Sequence, residues 1–173
     1  MMHNATARVL TVEDDPIVRA DLRVVLEDAG FDVCADARDG VEAVEMARLH
    51  LPDVIVLDLG LPRLDGIAAT RQILRERDVP IVALTGRSRM DAAEALDAGA
   101  VSCLRKPFVV RELVETVTTT MSTSNDSGVR NARATSRAAI AEVCSLLGYP
   151  DEWAVELERR AYRSGRLWRM SGS

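Results

Sequence analysis

Along this chain the spacing of hydrophobic positions switches repeatedly between two patterns. Short apolar runs alternate with stretches in which apolar residues recur every three or four positions. Arg8 to Val12 reads as a first strand. Pro16 suits a first helical turn, and Val18, Leu22, Val25 and Leu26 follow at helical spacing until Ala29-Gly30. Phe31 to Ala37 alternates like a second strand, Asp39-Gly40 turns the chain, and Val41 to Leu49 forms a second helix. Val54-Ile55-Val56-Leu57 is apolar and largely β-branched, the pattern of a strand buried on both faces, and it stops at Asp58. Leu61-Pro62 and Asp65-Gly66 mark a loop, and Ile67 to Glu76 a third helix. Pro80 to Leu84 is a fourth strand ending at Thr85-Gly86. Ser88 can cap a fourth helix through Ala98, stopped by Gly99. Val101 to Leu104 is a fifth strand, followed by Lys106-Pro107-Phe108 and a fifth helix from Val109 to Thr120. Residues 1–7 read as a frayed end. Five strands alternating with five helices predict an α/β fold, a doubly wound parallel sheet with helices on both faces.

Composition narrows the picture modestly. Hydrophobic residues make up 47% and aromatics 3%, so the core is built from Val, Leu, Ile and Ala. The net charge of −5 gives no general reason to bind nucleic acid or an anionic membrane. The charge is uneven: residues 1–121 carry 14 basic and 21 acidic side chains, residues 129–173 carry 8 and 5. Of the 22 basic residues only Lys106 is a lysine. Three cysteines without a CxxC pair argue against a disulfide framework or a zinc site. No apolar run approaches spanning length and no signal-peptide core opens the chain, so a cytoplasmic protein is expected.

The chemistry gathers where strands end. In open α/β sheets ligands bind at the carboxyl ends of the strands. Glu13-Asp14-Asp15 follows the first strand, Asp58 ends the third, Thr85 ends the fourth, and Lys106 lies just past the fifth. Adjacent acids repel one another unless solvent or a cation intervenes. Carboxylates from two strands make a hard-oxygen site suited to Mg²⁺. Asp14 and Asp58 are expected as direct ligands, Glu13 through water, and the Gly60 backbone carbonyl as a further oxygen. Asp58 is then the candidate nucleophile for a phosphoryl group, with Lys106 and the Thr85 hydroxyl for phosphate oxygens. Singly, each residue has an ordinary role: a cap, a strand-end hydroxyl, a solvated lysine. Their joint placement at successive strand ends is the argument for a site.

These motifs, VEDDP (Val12–Pro16), LDLGLPRLDG (Leu57–Gly66), LTG (Leu84–Gly86) and KPF (Lys106–Phe108), resemble the receiver domain of two-component response regulators over about residues 8–121. The resemblance implies a flavodoxin-like fold with strand order 2-1-3-4-5. It implies phosphorylation of Asp58 by a sensor histidine kinase with Mg²⁺, Glu13 and Asp14 as the acidic pair, Thr85 as the switch hydroxyl and Lys106 as the family's lysine. A cis Lys106–Pro107 bond is expected on the same ground. Three positions depart from the pattern. Cys103 stands where an aromatic is common, Gly60 where a larger residue is common, and Gly86 where alanine is common. Cys103 reads as a small buried strand residue rather than a redox sensor. The open side at Gly60 predicts easier water access to a phosphoryl group on Asp58.

The expected organisation is a receiver at 1–121, a linker at 122–131 and a helical tail at 132–173. Ser122 to Gly128 is polar and turn-rich. Beyond it, Ala138 to Leu147 suggests one short helix, and Asp151 can cap a second carrying Trp153, Val155, Leu157 and Ala161. So short a segment hardly builds its own core, which favours docking on a partner protein or a second copy. Nucleic-acid binding through its arginines and Trp168 is the alternative, not favoured because the excess charge is small. The reading is a response regulator that passes its state on by protein contact or dimerisation, not itself an enzyme. A Mg²⁺-dependent phosphohydrolase ranks last, since no motif places a further acid or His beside Asp58. Neither His3 nor His50 has a context for phosphotransfer.

Overall fold

In a computed structural model the protein is described over residues 6–86 and 89–124, with side chains at 6–86 and 91–123. The expected frayed start, the Ser88 cap and both tail helices lie outside the described residues. Ten elements alternate in chain order: β1 (Arg8–Val12), α1 (Pro16–Asp28), β2 (Asp32–Ala37), α2 (Gly40–His50), β3 (Val54–Asp58), α3 (Gly66–Glu76), β4 (Ile81–Thr85), α4 (Arg89–Ala98), β5 (Ser102–Arg105) and α5 (Val110–Ser124). The strands form one sheet in the order β2-β1-β3-β4-β5, every neighbouring pair parallel. This is the flavodoxin-like arrangement the motifs implied.

Burial follows strand position. β3 and β4, in the sheet interior, are buried at every residue. Only a strand covered on both faces can use a continuous Val/Ile/Leu run without exposing apolar surface. β2, at one edge, alternates instead: Val33, Ala35 and Ala37 are buried while Asp32 faces solvent. The core gathers Val9, Leu26, Val54, Val56, Val82, Leu84, Leu113 and Val117. Each such side chain contributes about 1.5–3 kcal/mol by leaving water.

Among the described residues, three helices begin on an aspartate. Asp15 accepts from the backbone N–H groups of Ile17 and Val18, Asp39 from those of Val41 and Glu42, and Asp65 from that of Ala68. Each cap satisfies N–H groups that lack helical partners, worth about 1 kcal/mol. Two glycines permit close approach near the sheet edge. A Cβ on Gly40 would lie 2.0 Å from the Leu64 carbonyl oxygen, and one on Gly66 would lie 2.4 Å from the Asp58 carbonyl oxygen.

The fifth helix runs further than its sequence suggests. It continues to Ser124, three residues into the polar stretch read as linker. The hydroxyls of Thr118 and Ser122 bond back to the carbonyls of Val114 and Thr118, satisfying themselves inside the helix. Met121 packs against the core beneath. Among the described residues no helix is long and apolar enough to cross a membrane.

Candidate functional site

The strand register assembles the site. Val12 pairs with Leu57, and Asp58 with Leu84. Glu13 and Asp14 therefore leave β1 beside the residue where β3 ends. Thr85 pairs with Arg105, so Lys106 emerges next to the end of β4. Three backbone bonds continue the sheet at this edge. Glu13 N–H donates to Ala37 O at 3.0 Å, Leu59 N–H to Leu84 O at 2.9 Å, and Lys106 N–H to Thr85 O at 2.7 Å. The Lys106–Pro107 peptide is cis.

The side chains converge as the motifs required. One oxygen from each of Glu13, Asp14 and Asp58 lies within 4.8 Å of the other two. Glu13 and Asp58 are buried and Asp14 is exposed, so the cluster opens to solvent on the Asp14 side. The Lys106 ammonium reaches Glu13 Oε2 at 2.6 Å and Asp58 Oδ1 at 2.9 Å. The other oxygen, Asp58 Oδ2, accepts the Gly60 N–H at 2.8 Å. Thr85 is buried at the end of β4.

Three carboxylates with one ammonium leave a local excess of negative charge. Burial, the largest influence, lifts the Glu13 carboxyl above its ordinary range; the Asp58 charge adds to this and Lys106 opposes it. Burial works against the charge on Lys106, yet its hydrogen bonds and attraction to Asp58 and Glu13 outweigh it and hold the ammonium above its ordinary value. A carboxylate that resists ionisation beside two other acids is a place where a further cation lowers the energy. The donor set is all oxygen, which suits a hard divalent ion. The residues therefore fit Mg²⁺.

Of the three consecutive acids, Asp15 is occupied as the α1 cap, which leaves Glu13 and Asp14 to face the site. The Gly60 N–H donates to Asp58, a contact the sequence did not reveal. A Cβ at Gly60 would sit 3.1 Å from Asp58 Oδ2, whereas one at Gly86 would meet nothing within 4 Å. The direct Lys106–Glu13 pair also escaped the sequence reading, which aimed Lys106 only at phosphate. Cys103 is buried, and burial pushes its thiol up to about 12, so it stays a protonated, inert core residue.

Comparison with known proteins decides the family. The family model described as the response regulator receiver domain matches residues 9–118. The chain belongs to the response-regulator receiver family. The transcriptional regulatory protein PdtaR of Mycobacterium tuberculosis is 44% identical over 111 residues, a match covering 64% of this chain and 54% of the relative. The response regulator MprA of Mycobacterium leprae is 46% identical over 109 residues, covering 62% and 47%. The chain thus spans about half the length of these curated relatives. Among solved structures, the receiver domain of the putative response regulator NarL from M. tuberculosis superposes with a TM-score of 0.64 at 27% identity, over 68% of this chain and 97% of that one. The response regulator domain of Thermotoga maritima CheB does so with a TM-score of 0.64 at 30% identity, over 68% and 97%.

Proposed function

We propose that this chain is a two-component response regulator whose receiver accepts a phosphoryl group on Asp58 from a sensor histidine kinase. The observation that carries the reading is the convergence of Glu13, Asp14 and Asp58 around one point, with Lys106 bonded to two of them. Mg²⁺, held by Asp14, Asp58 and the Gly60 carbonyl, with Glu13 acting through water, would neutralise charge on the transferring phosphoryl group. The chain's own residues do the rest. An Asp58 oxygen attacks phosphorus and forms the acyl-phosphate bond as the bond to the donor's nitrogen breaks. Lys106 turns from its carboxylate partners toward a phosphoryl oxygen, and the Thr85 hydroxyl donates to another. The added charge redistributes these two contacts and shifts the surface of α4, β5 and α5 between two packings.

The output is protein contact or dimerisation, with the tail at 132–173 as the appendage that docks. PdtaR is named a transcriptional regulatory protein, which keeps a nucleic-acid output through the basic tail in second place. The match covers 64% of this chain and 54% of PdtaR, so that protein's output is not carried over whole. The protein acts in the cytoplasm, where kinase and phosphodonor are available, and its only chemistry is on itself. Intact-mass spectrometry after incubation with acetyl phosphate and Mg²⁺ tests the assignment. Wild type should gain one phosphoryl mass and Asp58→Asn none; incorporation into Asp58→Asn would refute Asp58 as acceptor.

A further inference from the structure

The acidic loop between β1 and α1 is held by an arginine that the mechanism above does not use. Val12 ends β1 and Pro16 begins α1, so three residues make the whole connection. Arg19, in the second turn of α1, reaches back under this loop. Its Nη1 donates to the Glu13 carbonyl oxygen at 2.6 Å and to the Asp14 carbonyl oxygen at 3.4 Å. Its backbone N–H donates to the Asp15 carbonyl at 2.9 Å. All three loop carbonyls therefore meet the same residue.

The remaining anchors sit at the two ends of the loop. Glu13 N–H is fixed by Ala37 O, and the Asp15 carboxylate is spent on the N–H groups of Ile17 and Val18. Asp15 N–H points weakly at Glu13 Oε1, 3.4 Å away. Asp14 is the exposed member of the acid cluster, and the orientation of the peptides on both sides of it determines where its carboxylate points. A rotation of either peptide plane would break an Arg19 contact. Arg19 Nη1 thus holds the Glu13 plane by a short bond and the Asp14 plane by a weaker one, its direction set by the rigid planar guanidinium.

We propose that Arg19 is a positioning residue for the divalent-cation site, fixing the Glu13–Asp14–Asp15 backbone so that the Glu13 and Asp14 carboxylates face Asp58. The proposal rests on the reading of these acids as the Mg²⁺ site. It makes a prediction whose sign is opposite to simple electrostatics. Removing a nearby positive charge should, by Coulomb attraction alone, tighten binding of Mg²⁺. Loss of positioning should weaken it.

Calorimetric titration of Mg²⁺ into the full chain separates the two. Arg19→Met keeps the aliphatic stem and removes the donors. It should weaken Mg²⁺ binding by about ten- to a hundredfold, the usual cost of losing a group that orients a metal's ligands. Arg19→Lys keeps the charge and a donor nitrogen on a freely rotating stem, and should show a smaller loss. At saturating Mg²⁺ the rate of phosphorylation by acetyl phosphate should return close to wild type in both variants, a recovery that a general loss of structure would not give. Wild-type or tighter Mg²⁺ binding in folded Arg19→Met overturns the proposal. Should Arg19→Met not fold, Arg19→Gln, which also removes the guanidinium, decides, and wild-type affinity there overturns it equally. Asp14→Asn in the same titration tests the site itself. If wild type and Asp14→Asn alike bind no Mg²⁺, the underlying site reading fails and Arg19's role falls with it.

Discussion

Two loops at the same edge of the sheet bury a carboxylate each, and the two behave oppositely. Glu13 follows β1 and Asp39 follows β2; both are 3% exposed. At Asp39, burial is the largest influence and favours the neutral acid. The N–H groups of Glu42 and Val41 and the Arg63 guanidinium together overcome it and hold the carboxyl below its ordinary range. Every oxygen is engaged: Oδ1 takes the two N–H groups of the α2 cap and Oδ2 takes Arg63. At Glu13 burial wins, because the nearest neighbours include Asp58 as well as Lys106. Burial alone does not mark a functional acid. Asp39 is surrounded by donors, whereas Glu13 is left short of positive charge.

The contrast can be broken most forcefully at Asp14 and Glu13. Asp14→Asn should lower Mg²⁺-dependent phosphorylation by more than about a hundredfold, and Glu13→Gln, acting through water, by about ten- to a hundredfold, the cost expected for an outer group. Asp39→Ala should cost less than about threefold in the same assay. Phosphate incorporation over a Mg²⁺ series measures both. Equal losses in the two loops would erase the distinction.

Stability should show the reverse order. Asp39→Ala removes a cap and leaves N–H groups unpaired, and should cost about 2 kcal/mol in denaturant unfolding at neutral pH. Because the folded state lowers the Asp39 pKa, its contribution is present above the ordinary carboxylate range and fades as pH falls through it. The deficit of Asp39→Ala should therefore shrink in acid. Glu13 has the opposite sign. Its raised pKa means that ionisation costs the metal-free fold stability as pH rises through the carboxylate range. Metal-free Glu13→Gln should be at least as stable as wild type at neutral pH and lose that advantage in acid. Melting curves across pH, with a chelator present, test both slopes. Lys106→Met should destabilise the metal-free protein and tighten Mg²⁺, whereas Arg19→Met should weaken Mg²⁺ binding.

Smaller effects follow at the rim. Gly60→Met should slow loss of the phosphoryl group severalfold by covering the open side of Asp58, with the carboxylate giving way slightly to the new Cβ. Equal phosphoryl lifetimes would refute that screening role. At Cys103 the thiol stays protonated, so alkylating reagents at mildly alkaline pH should leave it unmodified in the folded protein and change nothing in phosphorylation.

How much of this was legible beforehand depended on range. The strands could be read because buried parallel strands use uninterrupted apolar runs, as β3 and β4 do. Strand ends then located Asp58, Thr85 and Lys106, since chain order and parallel register leave them one edge to share. Contacts that cross between loops had no such signal. Arg63 pairing with Asp39, Lys106 with Glu13, and Arg19 beneath the acidic loop all depend on how separate segments meet. The end of α5 was misplaced for a local reason. Ser and Thr favour turns in sequence, yet here they bond back along the helix while Met121 anchors its inner face.

Paramagnetic broadening by Mn²⁺, standing in for Mg²⁺, locates the bound cation, with amide resonances read across the β1–α1, β2–α2 and β3–α3 loops. At one equivalent of Mn²⁺ the signals of Glu13, Asp14, Asp58 and Gly60 should be lost, and an excess of Mg²⁺ should restore them. Those around the more distant Asp39 carboxylate should broaden less. Broadening centred on Asp39, or spread evenly over the acidic surface, would show that Glu13, Asp14 and Asp58 do not form the cation site.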